Sequence, residues 1–278
     1  MKSINFNSTA LASDVYLVGC GTGDVELLSI KAYKIISNAN VVLYDHLIDP
    51  EILELVSPTA LSIYVGKQKG CHSHSQDQIN ALICEHAQKG LTVARLKSGD
   101  PYIFGRGAEE AIYIQEEGYK VEVIAGISSA LEAPASAGIP VTARNYATNF
   151  SVVSAHLKGS KVNLQWIDLL RLESHTTVVL MGLSLASKIQ EAALKQGIDP
   201  FLDVAIISHA TRPSQNTHIT TLNKLAQTAN GVESPAVLVF GDVVKLREYL
   251  PRYKEQNEKT AKEGLEHISS LYKNIYAH

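Results

Sequence analysis

Val15-Tyr-Leu-Val-Gly-Cys-Gly-Thr-Gly-Asp24 begins as a short apolar run and ends in a glycine-rich turn. Beyond it, Leu28, Ala32, Ile35 and Ile36 recur at helical spacing from about Val25. Strand, tight turn and helix in that order are the first unit of an alternating α/β fold. The rhythm continues with strands at Val41–Tyr44, Leu61–Val65, Val93–Leu96 and Val121–Ile124. Between them lies a helix that starts with the capping-box pair Ser75 and Gln78, shows Ile79, Leu82, Ile83 and His86 on one face, and stops at Gly90. A second helix is expected over Arg106–Glu117. Strands separated by helices imply a parallel sheet covered on both faces.

After Gly138-Ile-Pro140 the pattern turns polar and turn-rich as far as Asn149. New strands are expected at Phe150–Ala155, Thr176–Met181, Val204–Ser208 and Ala236–Phe240, with an antiparallel one at Thr217–Thr221. The expected domains are therefore 14–145 and 146–250, followed by a charged tail over 251–278. In that tail Leu265, Ile268, Leu271, Tyr272 and Ile275 form a helical stripe.

Composition narrows the function classes. The 278 residues are 19% charged and 45% hydrophobic, with a net charge of −3, which suits a globular chain and not a general nucleic-acid binder. No apolar run reaches the length of a membrane span, and the N-terminus lacks a signal-peptide pattern. Three cysteines are too few for a disulfide framework. A cytoplasmic protein with neither membrane nor nucleic-acid partner is the expectation.

The glycine turn invites a dinucleotide reading, with Asp45 about twenty residues on as the ribose acid. Its spacing is G-x-G-x-G-D, which puts Asp24 where the third glycine belongs. A carboxylate there adds bulk and negative charge beside a would-be phosphate, so Asp24 is read as a helix N-cap. Cys71-His-Ser-His74 with Cys84 suggests zinc, but Cys84 falls inside a helical repeat and the spacing fits no finger or ribbon, so no metal is expected.

More specific motifs end the strands: Tyr44-Asp-His46, Val65-Gly-Lys67, Ser98-Gly-Asp-Pro101 with Phe104-Gly-Arg-Gly-Ala-Glu-Glu110, and Ala125-Gly-Ile-Ser-Ser129. In this order they resemble the uroporphyrinogen-III C-methyltransferases of the tetrapyrrole methylase family. The likeness runs from about Val15 to Leu250. Its most specific piece is Arg95-Leu-Lys-Ser-Gly-Asp-Pro-Tyr-Ile-Phe-Gly-Arg-Gly107, which matches R-L-K-G-G-D-P-F-I-F-G-R-G, and Gln76 to Asn80 answers Q-x-x-I-N. No dehydrogenase domain precedes the match, so the stand-alone form is expected.

The resemblance implies two α/β domains with S-adenosylmethionine in a cleft between them, and a homodimer. It implies methylation of uroporphyrinogen III at C2 and C7 to precorrin-2, for sirohaem, cobalamin or haem d1 synthesis, with S-adenosylhomocysteine as by-product. Cofactor contacts carried over are Thr22, Ser98, Gly99, Asp100, Ile103, Ser128, Ser129, Met181 and Ala210. The resemblance implies Asp45 as proton acceptor and Lys67 as proton donor. Glu109 is a second candidate base, three residues beyond Arg106 and so on the same helical face. Arg106, Arg144, Tyr146 and His46, with Lys67 and Lys69, are candidates to hold the tetrapyrrole carboxylates. Plainer readings compete: Asp45 as a turn cap, Lys67 as a solvated side chain, Arg106 paired with Glu109 or Glu110 for stability, and Met181 as core.

The chain leaves the family pattern at Thr22 (for Pro), His46 and Gln68 (for Arg), Ser98 (for Gly), Ala143 and Asn145 (for His and Asp) and Ala210 (for Gly). A later-precorrin methylase and a cofactor-binding regulator without catalysis are the rival readings.

Overall fold

A computed structural model describes residues 11–66, 74–157 and 161–253. Lys67, Gln68, Lys69, Cys71, His72 and the tail beyond 253 lie outside the described residues. The chain divides into two compact units, split between Ser128 and Ser129.

The first unit carries strands β1 (Val15–Gly19), β2 (Val41–Tyr44), β3 (Leu61–Tyr64), β4 (Val93–Lys97) and β5 (Val121–Ile124). They pair in parallel in the order β3-β2-β4-β1-β5. The helices are α1 (Ile30–Asn38), α2 (Pro50–Leu53), α3 (Gln76–Gln88) and α4 (Gly107–Glu116). Alternation splits β1 between two cores. Tyr16 and Val18 pack with Ile35, Ile36 and Ile52, whereas Val15 and Leu17 pack with Ile79, Ile83 and Ile114.

Two helix starts differ from the sequence expectation. Asp24 does act as a cap, accepting from Glu26 N at 2.9 Å, but it caps a 3-10 turn over Val25–Leu27. The helix itself waits for Ser29, whose hydroxyl accepts from Ala32 N. The helix expected from Arg106 starts at Gly107, because Arg106 is left-handed at φ 59°. The Ser75–Gln78 capping box is present with both of its bonds.

The second unit holds α5 (Ser129–Ser136), α6 (Ala186–Lys195) and α7 (Leu225–Ala229). Its strands are β6 (Asn149–Ser154), β7 (His175–Leu180), β8 (Asp203–Ser208), β9 (Asn216–Thr221) and β10 (Ala236–Phe240). The sheet order is β6-β7-β10-β8-β9, with β6 parallel to β7 and the other pairs antiparallel. One face carries Trp166, Ile189, Val204 and Phe240, the other Ala133, Ile139, Ala205 and Val239. The expected boundary at 145/146 thus falls inside this unit. Ala130, Ala133, Ala137 and Ile139 belong to its core, so α5 and the loop after it pack here.

Candidate active site

Because every strand of the first sheet is parallel, all five end at one edge, and the loops leaving β1, β4 and β5 meet there. Gly19, Gly99 and Gly126 touch backbone to backbone. A Cβ on Gly19 would stand 2.4 Å from Gly126 N, and one on Gly126 would stand 2.3 Å from Gly99 O. Gly21 and Gly99 exchange two backbone hydrogen bonds, at 3.2 and 2.7 Å. Both are left-handed, at φ 66° and 68°. The space where a Gly21 Cβ would stand is open. Gly19 and Gly126 are therefore needed for chain-on-chain packing, and Gly21 leaves open space beside a bend.

Asp100 ties this edge together. Its Oδ2 accepts from Gly126 N at 3.2 Å and its Oδ1 from Tyr102 N at 2.8 Å. Ser98, where the family pattern has glycine, turns its hydroxyl toward Gly21 O at 3.5 Å. Thr22 and Ser128 are buried, and Ser129 opens α5 in the second unit. The loop from Pro101 folds back so tightly that Cβ atoms on Gly105 or Gly107 would strike Pro101 O. It leaves Tyr102, Ile103 and Phe104 exposed, with Phe104 left-handed at φ 54°.

Asp45 follows β2 at the same edge, and the turn-cap reading of it holds. Oδ1 accepts from Leu47 N at 3.1 Å, capping the turn, while Oδ2 faces Arg95 Nη2 at 3.1 Å. Behind it lies a polar cluster that the sequence reading missed. Arg95 and Lys97, two apart on β4, share a face with Glu110 of α4 and Gln76 of α3. Lys97 Nζ and Gln76 Nε2 each donate to Glu110 at 2.8 Å. Burial pushes the Lys97 ammonium below its usual range, against the pull of the Glu110 carboxylate. Two signals pointed here: charges at alternate positions of a strand buried throughout, and Glu110 four residues before Ile114 on the apolar face of α4.

Arg106 and Glu109 do share a face, and they form a two-point ion pair at 3.1 and 2.6 Å. Hydrogen bonding to Glu109 raises the Arg106 pKa. The pair is exposed, so its contribution to stability is small. His46 is exposed. Buried Cys20, also at this edge, has its thiol pushed up to about 12 by burial.

In the second unit β7 and β8 run the same way, both antiparallel to β10, so they end at one edge. Three non-glycine residues there are left-handed: Met181 at φ 57°, His209 at 48° and Thr211 at 63°. Such strain gathers where a backbone is shaped for a ligand. Met181 is 48% exposed, which removes the core reading. Ala210 lies buried between two of these strained residues. Tyr146 packs on the core beside Ala147, and Arg144 is exposed in the same loop, whose Asn145 is left-handed at φ 69°. Among the described residues no cluster of His, Cys, Asp or Glu is arranged to hold a metal ion, and no helix is long and apolar enough to cross a membrane.

Comparison with known proteins identifies the fold and the family. The chain is 36% identical to the uroporphyrin III C-methyl transferase of Thermus thermophilus, with a TM-score of 0.72 over 84% of this chain and 93% of that one. A second structure of the Thermus enzyme, complexed with S-adenosylhomocysteine, matches equally well. Cobalt precorrin-4 methyltransferase, at 22% identity and a TM-score of 0.73, shares the fold. Siroheme synthases of Pseudoalteromonas atlantica and Chromobacterium violaceum are each 41% identical, over 85% and 91% of this chain. The chain spans about half their length, 52% and 54%. Residues 14–226 match the sequence model of the Tetrapyrrole (Corrin/Porphyrin) Methylases, and the chain belongs to that family.

Proposed function

We propose that the protein is a uroporphyrinogen-III C-methyltransferase that methylates C2 and then C7 to give precorrin-2. The observation that carries this reading is the 36% identity to a uroporphyrin III methyl transferase over 93% of that enzyme's length. The siroheme synthase relatives favour sirohaem synthesis as the destination of the product.

The residues present fit S-adenosylmethionine. On the first unit Gly21 and Gly99 are left-handed, Gly21 beside open space, and Ile103 is exposed; on the second unit Met181 is exposed. When bound, S-adenosylmethionine would supply a sulfonium methyl group for in-line displacement by an electron-rich pyrrole carbon.

As the new carbon–carbon bond forms, the pyrrole must lose a proton, and Asp45 Oδ2 is the proposed acceptor. It is half-buried at the sheet edge, with a cation behind it. Lys67 is the proposed donor. Arg106, Arg144, His46 and the Tyr146 hydroxyl recognise substrate carboxylates; Arg106 approaches its substrate already oriented by Glu109. Glu109 has its two carboxylate oxygens bonded to Arg106, so it is the weaker candidate base.

Asp45→Asn keeps the side-chain shape and removes the base. Turnover should fall at least about 100-fold while S-adenosylhomocysteine binds as before by calorimetry. Near-normal turnover would remove Asp45 from the mechanism.

A further inference from the structure

Four charged groups lie together in the first unit, and the proton-transfer reading uses only the outermost. Glu110 is fully buried, and the Arg95 and Lys97 side chains are each 6% exposed, while Asp45 is 23% exposed. The three sealed groups carry a net positive charge that faces the single Asp45 anion. Burying so many charges is a poor way to stabilise a core, because apolar residues of similar volume would avoid the desolvation. The cluster is also ordered. Lys97 and Gln76 hold the two Glu110 oxygens at 2.8 Å, and Glu110 Oε1 stands 3.7 Å from Arg95 Nε. Arg95 Nη1 donates to Leu96 O at 2.7 Å, which leaves Nη2 aimed at Asp45.

We propose that Glu110, held by Lys97 and Gln76, is a positioning residue that fixes the Arg95 guanidinium, and that Arg95 in turn orients the Asp45 carboxylate for proton abstraction. Each Asp45 oxygen then has one fixed donor, Leu47 N on one side and Arg95 on the other, so the carboxylate plane cannot turn. Its remaining lone pairs keep one direction. An arginine is needed because its planar fork reaches a backbone carbonyl and a carboxylate together, which a lysine ammonium cannot do in a fixed plane. The inference rests on Asp45 being the base.

The test uses the full chain with uroporphyrinogen III and S-adenosylmethionine without oxygen, and two variants. Arg95→Lys keeps the charge and loses the fork. Glu110→Gln keeps the shape and loses the charge. Each should lower kcat about 10- to 100-fold, with KM for both substrates within about twofold of wild type. Affinity for S-adenosylhomocysteine should be unchanged by calorimetry. A role in stability alone would lower the thermal midpoint and leave kcat of the folded fraction intact, and that result overturns the proposal. Should Glu110→Gln fail to fold, Gln76→Ala loosens the same anchor from a half-buried position. A several-fold loss of kcat is then expected, and no loss overturns the proposal. Asp45→Asn, run alongside, separates the two claims. Wild-type turnover in Asp45→Asn defeats the base assignment, whereas an inactive Asp45→Asn beside a fully active, folded Arg95→Lys defeats only the positioning network.

Discussion

A methyl group added at Gly126 would lie 2.3 Å from Gly99 O and 2.6 Å from Gly19 C, and none of these backbone atoms can swing aside. Gly126→Ala should therefore cost about 1–3 kcal/mol in urea unfolding and weaken S-adenosylhomocysteine binding, since the loops it forces apart carry the proposed cofactor residues. Cys20 offers a second residue-scale prediction. Its thiol is raised from 9.0 to about 12 in the folded protein. Below about pH 9 it is protonated in both states, so its contribution to stability is fully present. Between about 9 and 12 the unfolded chain loses the proton and the folded one keeps it, so stability falls as pH rises. Cys20→Ala leaves a pH-independent cavity cost and removes that slope, which denaturant titrations at pH 8 and about 10.5 would read. In a variant carrying Cys71→Ser and Cys84→Ser, Cys20 should resist a thiol reagent until the protein unfolds.

Among elements, α3 is the one most completely specified by its own residues. Ser75 Oγ accepts from Gln78 N at 3.2 Å, Gln78 Oε1 accepts from Ser75 N at 2.7 Å, and Gly90 closes the end at φ 73°. Ser75→Ala should cost about 1 kcal/mol by thermal or urea unfolding, with no change in kcat. Because α3 also carries Gln76, a loss of kcat in Ser75→Ala would mean that the helix start, and not the cap alone, had moved. The same clarity explains why α3 was readable from sequence, as were the strands with their β-branched runs. α5 was not, because Pro134 sits inside it and breaks the helical pattern. α6 was missed as well: its buried face is mostly alanine around Ile189, too weak a contrast to stand out. The start of α1 was set five residues early, because the 3-10 turn over Val25–Leu27 continues an apolar pattern that only Ser29 interrupts. At the site, motif order placed Asp45, Gly99 and Asp100 at one sheet edge. The Arg95–Glu110 cluster escaped because the alternate charges on β4 and the placement of Glu110 before Ile114 on α4 are local signals, and neither shows that the two elements pair.

On the scale of the molecule, two sheets of different construction each present a shaped edge. The first is wholly parallel, with loops held by glycine contacts and Asp100; the second is mixed, with three strained residues after β7 and β8. The proposed cofactor residues are divided between them, Thr22 to Ser128 on the first unit and Ser129, Met181 and Ala210 on the second. At Ser98 and Ala210 the family glycine is replaced by a small side chain, and the fold accommodates both: the Ser98 hydroxyl reaches Gly21 O, and Ala210 is buried between strained neighbours. The loss of arginine at His46 falls instead on the proposed hold on substrate carboxylates, so any deficit should appear in the tetrapyrrole KM before it appears in cofactor affinity. The most direct test of the central claim is an oxygen-free incubation of the protein with uroporphyrinogen III and S-adenosylmethionine, with the tetrapyrrole product weighed by mass spectrometry. A product carrying two added methyl groups is the predicted result. An unmethylated tetrapyrrole recovered while the protein binds S-adenosylhomocysteine would contradict the account.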